Sequence, residues 1–185
     1  CKKEKIIFIG PSPESIEAMA SKANAKKLIV KNNVPIIPGY NNKDQSIKTF
    51  RNEAKKIGFP ILIKASSGGG GKGMRIVNDL SEFDSSIDSA KREAMKSFSD
   101  DHLILEKYIS SARHIEFQIM GDNFGNIIHL FERECSIQRR YQKVIEESPS
   151  PVLDNKTRSL MAKVAINAAK AINYNNAGTV EFIFD

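Results

Sequence analysis

The chain has 185 residues, of which 41% are hydrophobic and 27% are charged. This composition is typical of one globular domain of average size or two small ones, and no apolar run approaches the length of a membrane span. The net charge of +6 is concentrated in residues 1–60, where twelve Lys or Arg stand against five Asp or Glu. These cations follow helical patterns with few aromatic residues among them, which favours solvated helix faces over a nucleic-acid-binding surface.

The first part of the chain predicts short strands and helices separated by glycine and proline. The apolar segment 6–9 is typical of a short buried strand that ends at Gly10-Pro11. The proline-stiffened segment 34–40 predicts a connector between two domains. Helices are predicted over 14–20, 22–33, 44–57 and 81–98, and strands over 61–65, 74–77 and 103–109.

The second part predicts a hairpin, a helix and a strand. Alternation of apolar and polar residues over 114–120 and 126–132, around a turn at 121–125, predicts a β-hairpin. A long amphipathic helix is predicted over 155–172 and a final strand over 178–184. Strands and helices in mixed order with one hairpin indicate an α+β fold rather than a regular doubly wound sheet. The only cysteines, Cys1 and Cys135, give no disulfide framework, so a reducing compartment is the default.

A glycine-rich loop, SSGGGGKG over residues 66–73, lies between the strands 61–65 and 74–77. Consecutive glycines are costly to order, and they are useful where backbone N–H groups must approach a ligand or where a loop closes as a lid. Runs of N–H groups bind phosphate, and Lys64 and Lys72 add positive charge. A P-loop would need glycine at position 66 and serine or threonine at 73, and a dinucleotide fingerprint would need a helix after the loop. The alternative is a flexible linker, which the directly flanking strands disfavour.

Several motifs resemble those of one family, in the family's order. They are KASSGGGGKGMR at 64–75, EKY at 106–108, RHIEFQ at 113–118, ERECSIQRR at 132–140, QKVIEE at 142–147 and GTVEF at 178–182. Together they resemble the biotin carboxylase segment of biotin-dependent acyl-CoA carboxylases, which implies an ATP-grasp fold with a glycine lid. Finer details, such as HLFER at 129–133 and AKAINY at 169–174, resemble the biotin-containing alpha subunit of methylcrotonyl-CoA carboxylases.

The resemblance implies a role for particular residues. Lys22 and Lys64 would contact the ATP phosphates, over which Gly70 and Gly71 would close. Lys143 would hold bicarbonate, which makes Lys143 and Lys64 the candidate catalytic residues. Glu181 would be one carboxylate for Mg²⁺ or Mn²⁺, although a lone glutamate there could also be an edge-strand charge. The remaining nucleotide contacts would come from Glu106, Lys107, Tyr108, Ile109, His114, Gln138 and Tyr141, of which Tyr141 stands where many members carry histidine.

The activity implied by the resemblance is ATP-dependent carboxylation of protein-linked biotin by bicarbonate, through carboxyphosphate. The implied partners are ATP, bicarbonate, a biotin carrier domain and a carboxyltransferase subunit, in an oligomeric enzyme of the mitochondrial matrix, or of the cytoplasm if the source is bacterial. No nucleic acid and no membrane is expected. Propionyl-CoA and pyruvate carboxylases share most of these motifs, and another ATP-grasp ligase, such as a carbamoyl-phosphate synthetase module, is the further alternative.

The resemblance also implies boundaries. We expect residues 1–36 to be the end of the biotin carboxylase N-terminal domain with its helical linker, 37–108 to be the ATP-grasp lid subdomain, and 109–185 to begin the C-terminal subdomain. The chain starts at Cys1 and stops at Asp185, before the family's second magnesium carboxylate and its Glu-x-Asn-x-Arg motif. Truncation at both ends, and an inactive isolated chain, are therefore expected. The biotin itself would be carried on a domain outside these residues.

Overall fold

The computed structural model describes residues 1–20, 22–67, 74–139 and 142–185, without the side chains of residues 2 and 22–24. The chain divides into two compact units. We call Cys1–Met19, Lys27–Pro35 and Ala112–Asp185 the C-terminal unit, and Ala20–Lys26 and Ile36–Ser111 the central unit. After a short 3₁₀ turn the elements are α1 (Pro13–Ala20), α2 (Lys22–Lys31), β1 (Gly39–Tyr40), α3 (Ile47–Ile57), β2 (Ile61–Ala65), β3 (Arg75–Val77), α4 (Phe83–Phe98), β4 (Leu103–Lys107), β5 (Arg113–Gly121), β6 (Ile127–Arg139), β7 (Gln142–Glu147), α5 (Asn155–Ala171) and β8 (Asn176–Phe184).

The central unit is an antiparallel sheet in the order β1-β4-β2-β3, covered by helices. Helix α3 begins at Ser46, whose hydroxyl accepts a hydrogen bond from the Thr49 backbone N–H and caps the first turn. Along β2 every second residue is fully buried or nearly so, and the intervening Lys64 is only half-buried. Period-two alternation therefore directs Lys64 away from the core that α3 and α4 form with the sheet. That core contains Phe50, Ala54, Ile61, Ile63, Phe83, Ile87, Leu103 and Leu105.

The C-terminal unit is an antiparallel sheet in the order β7-β6-β5-β8, with α5 packed against one face. Asp154 caps α5 by accepting a hydrogen bond from the Thr157 backbone N–H. On β5, the apolar residues Ile115, Phe117 and Ile119 join the core beneath α5. The intervening His114, Glu116 and Gln118 consequently belong to the opposite face of the sheet.

The α+β prediction is confirmed, and so is the predicted hairpin, with two differences in detail. The second hairpin strand does not end near Glu132 but continues to Arg139, and β7 follows it as a strand that the sequence reading missed. Strand β7 was missed because it carries charged residues on both faces, so apolar and polar residues do not alternate along it.

The strand predicted over 6–9 is wrong: the segment forms no regular element, and Ile7 is 89% exposed. A strand needs a partner for its ladder, and this segment pairs with no other part of the chain that the structure describes.

Both cysteines are free thiols, and Cys135 is fully buried. Burial, together with the nearby carboxylates of Glu116 and Glu146, raises the pKa of the Cys135 thiol to about 11, so it stays protonated at neutral pH. Among the described residues, no helix combines the length and the apolar character that crossing a membrane requires.

The packing of the C-terminal unit predicts that Phe117→Ala destabilises the chain. Phe117 is fully buried and meets Phe182 edge-to-face, with ring centroids 5.8 Å apart. Truncation of such a side chain removes buried apolar area and leaves a cavity, so the free energy of unfolding should fall by about 3–5 kcal/mol. Urea unfolding measures it, with Phe124→Ala as the matched control because Phe124 is 90% exposed. Equal effects of the two substitutions would contradict this core assignment.

Candidate functional site

The first cluster lies in the central unit around a buried carboxylate, Glu106. This residue is only 4% exposed, and it faces Leu62 across the β2–β4 ladder. The ammonium of Lys64, two residues along β2, forms an ion pair with one carboxylate oxygen. The ammonium of Lys26, on α2, pairs with the other oxygen. Glu106 thus fixes two lysines at once, and one of them is a predicted phosphate ligand.

The charges of the two neighbouring lysines determine the direction in which the pKa of Glu106 shifts. Burial by itself would raise the pKa of this carboxyl, but the attraction of Lys64 and Lys26 outweighs it and holds the pKa below its ordinary value. Glu106 is therefore ionised at neutral pH, and the cluster has two positive charges against one negative charge. That excess suits an anionic ligand.

The predicted adenine hinge, Glu106 to Ile109, begins at the same glutamate. The backbone N–H of Lys107 donates to the Pro38 carbonyl at 2.8 Å, and that of Tyr108 donates to the Pro60 carbonyl at 3.0 Å. The Lys107 ammonium donates to the carbonyl oxygens of Gly58 and Phe59. The backbone N–H of Ile109 makes no hydrogen bond to another residue within the described ranges. Among the described residues, the backbone N–H of Ile109 is therefore open, whereas those of Lys107 and Tyr108 are used within the fold.

The second cluster lies in the C-terminal unit on the sheet face opposite α5. Its centre is Glu116, which is 3% exposed. Arg133, its cross-strand partner on β6, donates from Nε to Glu116 Oε1 at 2.7 Å, and the Lys143 ammonium, from β7, pairs with Glu116 Oε2. Lys143 Nζ also lies 3.0 Å from Glu181 Oε1. One ammonium is thereby shared between two carboxylates that lie directly opposite each other on β5 and β8.

The charged forms of this cluster stabilise one another. Burial by itself would raise the pKa of Glu116, but hydrogen bonds from Lys143 and Arg133 lower it below its ordinary value. Burial opposes the charged ammonium of Lys143 as well, yet its hydrogen bonds to Glu116 and Glu181 raise its pKa. Lys143 consequently keeps its full positive charge throughout the physiological pH range, and that charge is what binding of an anion requires.

His114 and Gln138 extend the cluster. The Gln138 amide nitrogen lies 2.6 Å from His114 Nδ1, and His114 Nε2 lies 3.5 Å from Glu181 Oε2. If the amide donates, Nδ1 is the acceptor and a neutral ring carries its proton on Nε2, toward Glu181. His114, Glu116 and Glu181 also offer ligand atoms that all lie within 4.8 Å of one another. Two carboxylates at this spacing are the hard oxygen donors that Mg²⁺ takes, so these residues fit such an ion.

Some predicted site residues cannot be placed in either cluster. Gly70, Gly71 and Tyr141 lie outside the described residues, and so does the side chain of Lys22, whose backbone begins α2. The clusters also contain residues that the sequence reading assigned no role, namely Lys26, Glu116 and Arg133. A signal for Glu116 existed, because the period of a strand puts it on the same face as His114. Lys26 and Arg133 come from separate elements and gave no such signal.

The chain matches one family of domains over most of its length. The family, described as carbamoyl-phosphate synthase L chain, ATP binding domain, covers residues 21–185. The chain belongs to this family. The chain is 52% identical to methylcrotonoyl-CoA carboxylase subunit alpha, mitochondrial, of Dictyostelium discoideum, over 99% of this chain and 26% of that protein. It is 46% identical to biotin carboxylase 2 of Bacillus subtilis, over 100% of this chain and 42% of that protein.

Solved structures of related ATP-binding domains share the fold. A biotin carboxylase–βγ-ATP complex from Campylobacter jejuni superposes with a TM-score of 0.93 at 48% identity, over 100% of this chain and 42% of that chain. The biotin carboxylase domain of Hydrogenobacter thermophilus 2-oxoglutarate carboxylase, solved with MgADP, ADP and bicarbonate, gives 0.90 at 45% identity, over 99% and 40%. These likenesses confirm the predicted ATP-grasp fold. The chain spans about a quarter of the length of the methylcrotonoyl-CoA carboxylase subunits it matches.

The lowered pKa of Glu106 predicts an acid-sensitive contribution to stability. The unfolded carboxyl titrates near 4.3, above the folded pKa, so the contribution is present above that value and is lost as the pH falls through the folded pKa. Urea unfolding between about pH 7 and pH 3 should show stability falling with pH, more steeply in the parent chain than in Glu106→Gln.

At neutral pH the Glu106→Gln variant should itself lose on the order of 3 kcal/mol, because it leaves two ammonium groups without their carboxylate. The control is Glu53→Gln, which removes a carboxylate from the surface pair with Lys56. That change should cost about 0.5 kcal/mol or less. Parallel pH profiles for the parent chain and Glu106→Gln would show that Glu106 is not the group responsible.

Proposed function

We propose that the chain is the ATP-binding segment of a biotin carboxylase, acting within a methylcrotonyl-CoA carboxylase. The whole enzyme would carboxylate protein-linked biotin with bicarbonate at the expense of ATP. The observation that carries the proposal is Lys143, a fully charged ammonium shared between Glu116 and Glu181. The names of the relatives support the choice of acyl-CoA, since six alpha subunits of methylcrotonoyl-CoA carboxylase match at 49–52% identity.

ATP would be held by the central unit. The adenine would lie at the hinge formed by Glu106, Lys107, Tyr108 and Ile109, where the open N–H of Ile109 supplies a donor for a ring nitrogen. Lys64 would meet the phosphates, together with Lys22 and with Gly70 and Gly71 of the lid. A phosphate that approaches Lys64 competes with Glu106 for its ammonium, and Lys26 keeps Glu106 neutralised when Lys64 turns to the ligand.

Bicarbonate would be held by Lys143, with His114, Gln138 and Tyr141 toward the nucleotide. An anion at the Lys143 ammonium must compete with two carboxylates. A divalent cation drawn to those carboxylates removes that competition, so the residues that would hold Mg²⁺ or Mn²⁺ are also those that release Lys143. When bound, the ion would neutralise charge on the phosphate oxygens. Glu181 and Glu116 would hold it. A related biotin carboxylase domain was solved with MgADP and bicarbonate, which supports the choice of these ligands for this chain.

The chemistry follows from positions and charges. A bicarbonate oxygen attacks the terminal phosphorus of ATP, the bond from that phosphorus to the bridging oxygen breaks, and ADP leaves with carboxyphosphate as the other product. Lys64 and Lys143 stabilise the charge on the transferred group and the nucleophile. The bond between the carboxyl carbon and the phosphate oxygen then breaks, and inorganic phosphate leaves and takes up the proton of the ureido N–H. The carboxyl carbon bonds to that ureido nitrogen of biotin, which would be carried on a domain outside this chain.

The remaining assignments rest on the relatives. Residues 37–108 would form the lid subdomain of the ATP-grasp fold, between the end of the N-terminal domain (1–36) and the start of the C-terminal subdomain (109–185). A biotin carrier domain and a carboxyltransferase subunit would complete an oligomeric enzyme. The mitochondrial names of the relatives support a location in the matrix.

The test uses the full-length carboxylase subunit that contains this segment, assayed for bicarbonate-dependent ADP release with biotin. Lys64→Gln should raise the KM for ATP and lower kcat/KM by about a hundredfold, because it removes one stabiliser of the transition state. Lys143→Gln should lower kcat by about a hundredfold while ATP binding changes little. Lys48→Gln, an exposed lysine of α3, is the matched control and should keep full activity.

Turnover of Lys143→Gln at the parent rate would refute the bicarbonate assignment. The 185-residue chain alone should release no ADP in response to biotin, since it lacks the Glu-x-Asn-x-Arg motif of the family. Biotin-stimulated turnover by the isolated chain would mean that the essential groups lie within it.

A further inference from the structure

A cavity lies beside α5 in the C-terminal unit, on the sheet face opposite the Lys143 cluster. It has a volume of about 520 Å³ and is lined by two aromatic residues of β6, His129 and Phe131, and by one side of α5. We call it the α5 groove. The side of α5 that lines it carries Arg158, Lys163 and Lys170 as well as the apolar Ala162 and Ile166. No acidic residue is among the described residues that line it.

Phe131 is held in the groove by an irregular backbone. Phe117 pairs with Glu132 and Ile119 with His129, so the single residue Gln118 faces the two residues 130 and 131, which is a β-bulge. Phe131 takes a φ of 61°, in the left-handed region that a bulky residue rarely adopts. It is also 60% exposed, so core packing does not explain its presence there. Strain at an exposed aromatic residue is a feature of ligand-binding positions.

The positive charges of the groove are of two kinds. Arg158 donates from Nε to the buried Glu132 at 2.7 Å and from Nη2 to the Leu153 carbonyl, so its charge is matched within the fold. Lys163 and Lys170 form no ion pair with an acidic side chain in the part of the chain that the structure describes. They are seven residues apart, which places them on one side of the helix about 10 Å apart. The groove therefore has two uncompensated ammonium groups beside its aromatic wall.

We infer that the α5 groove binds a small organic anion in which a flat ring carries a phosphate or carboxylate. The ring would pack between Phe131 and the apolar floor of Ala162 and Ile166, and the anionic group would meet Lys163. The His129 ring contributes an edge, since its centroid lies 5.3 Å from that of Phe131 in an edge-to-face arrangement. This site is separate from the Lys143 cluster, because α5 packs on the opposite face of the sheet.

The experiment is a ¹H–¹⁵N TROSY titration of the full-length carboxylase subunit that contains this segment, with phenyl phosphate as the probe. Saturable shifts should appear at the amides of Ala162, Lys163 and Ile166. Inorganic phosphate, which lacks the ring, and phenol, which lacks the charge, should each bind at least about fivefold more weakly. Equal affinity for phosphate and phenyl phosphate, or shifts confined to residues outside the groove, would overturn the proposal.

Three variants sharpen the test. Lys163→Gln should weaken phenyl phosphate binding by about tenfold, as expected for loss of a charged contact. Lys156→Gln is the matched control, because Lys156 is an exposed lysine on the same helix, seven residues earlier, that does not line the groove. Equal losses in both variants would mean non-specific attraction and would overturn the site.

Phe131→Gly separates binding from folding. Glycine adopts a positive φ without strain, so this variant should unfold at no lower urea concentration than the parent while phenyl phosphate binding is lost. Retained binding in Phe131→Gly would show that the aromatic wall is not part of a site.

Discussion

A buried glutamate shared between two cations is the interaction on which each of the two candidate clusters depends. In the central unit Glu106 lies between Lys26 and Lys64, and in the C-terminal unit Glu116 lies between Arg133 and Lys143. A buried carboxylate without a partner is strongly destabilising, so each glutamate requires its cations. The cations in turn are held in fixed positions with their charge intact. Each cluster therefore holds one candidate ligand-binding lysine, Lys64 or Lys143, beside a second basic residue.

The same ion pairs restrict how these lysines can bind an anion. Lysines paired to carboxylates are not free to bind an anion, and the anion must displace or outcompete its protein partner. Binding then depends on something that takes over the carboxylate. For Glu106 the remaining lysine can do so, whereas for Glu116 and Glu181 a metal ion is the natural successor. Within the C-terminal unit, a metal ion and bicarbonate would in this way favour each other's binding.

Much of the fold could be predicted because local pattern and tertiary structure agree. The helices α3, α4 and α5 show a clear apolar face, and β2 and β5 alternate cleanly, so their buried residues could be read from the sequence. Strand β7 could not, because it carries Lys143, Glu146 and Glu147 on an exposed ribbon with little apolar alternation. Segment 6–9 misled for the opposite reason: its composition is that of a buried strand, but no described partner covers it.

The residues of the two clusters also fall into those that the sequence pattern predicts and those that it does not. Lys64, Lys143, Glu181 and His114 were predicted from motif resemblance and lie in the two clusters, and the strand period alone would have added Glu116. Lys26 was beyond reach because its role depends on which turn of α2 approaches β4, a matter of packing that sequence spacing does not encode. The bulge at Phe131 could not be predicted from the sequence either, because the residue in the left-handed region is not a glycine, the usual sequence signal for a positive φ.

The pairing of Glu116 with Glu181 depends on the position of Glu181 along β8, because successive residues of a strand face opposite sides of the sheet. Among the described strands, β8 hydrogen-bonds only to β5, and its residues alternate between the Lys143 face and the α5 face. Inserting one residue before Glu181 would turn that carboxylate toward the core and bring Val180 or Phe182 to the polar face, whereas two inserted residues would restore the faces. Natural variation in length should therefore be absent from β8 and be found in the hairpin turn at 122–126, where the chain can lengthen without inverting a strand.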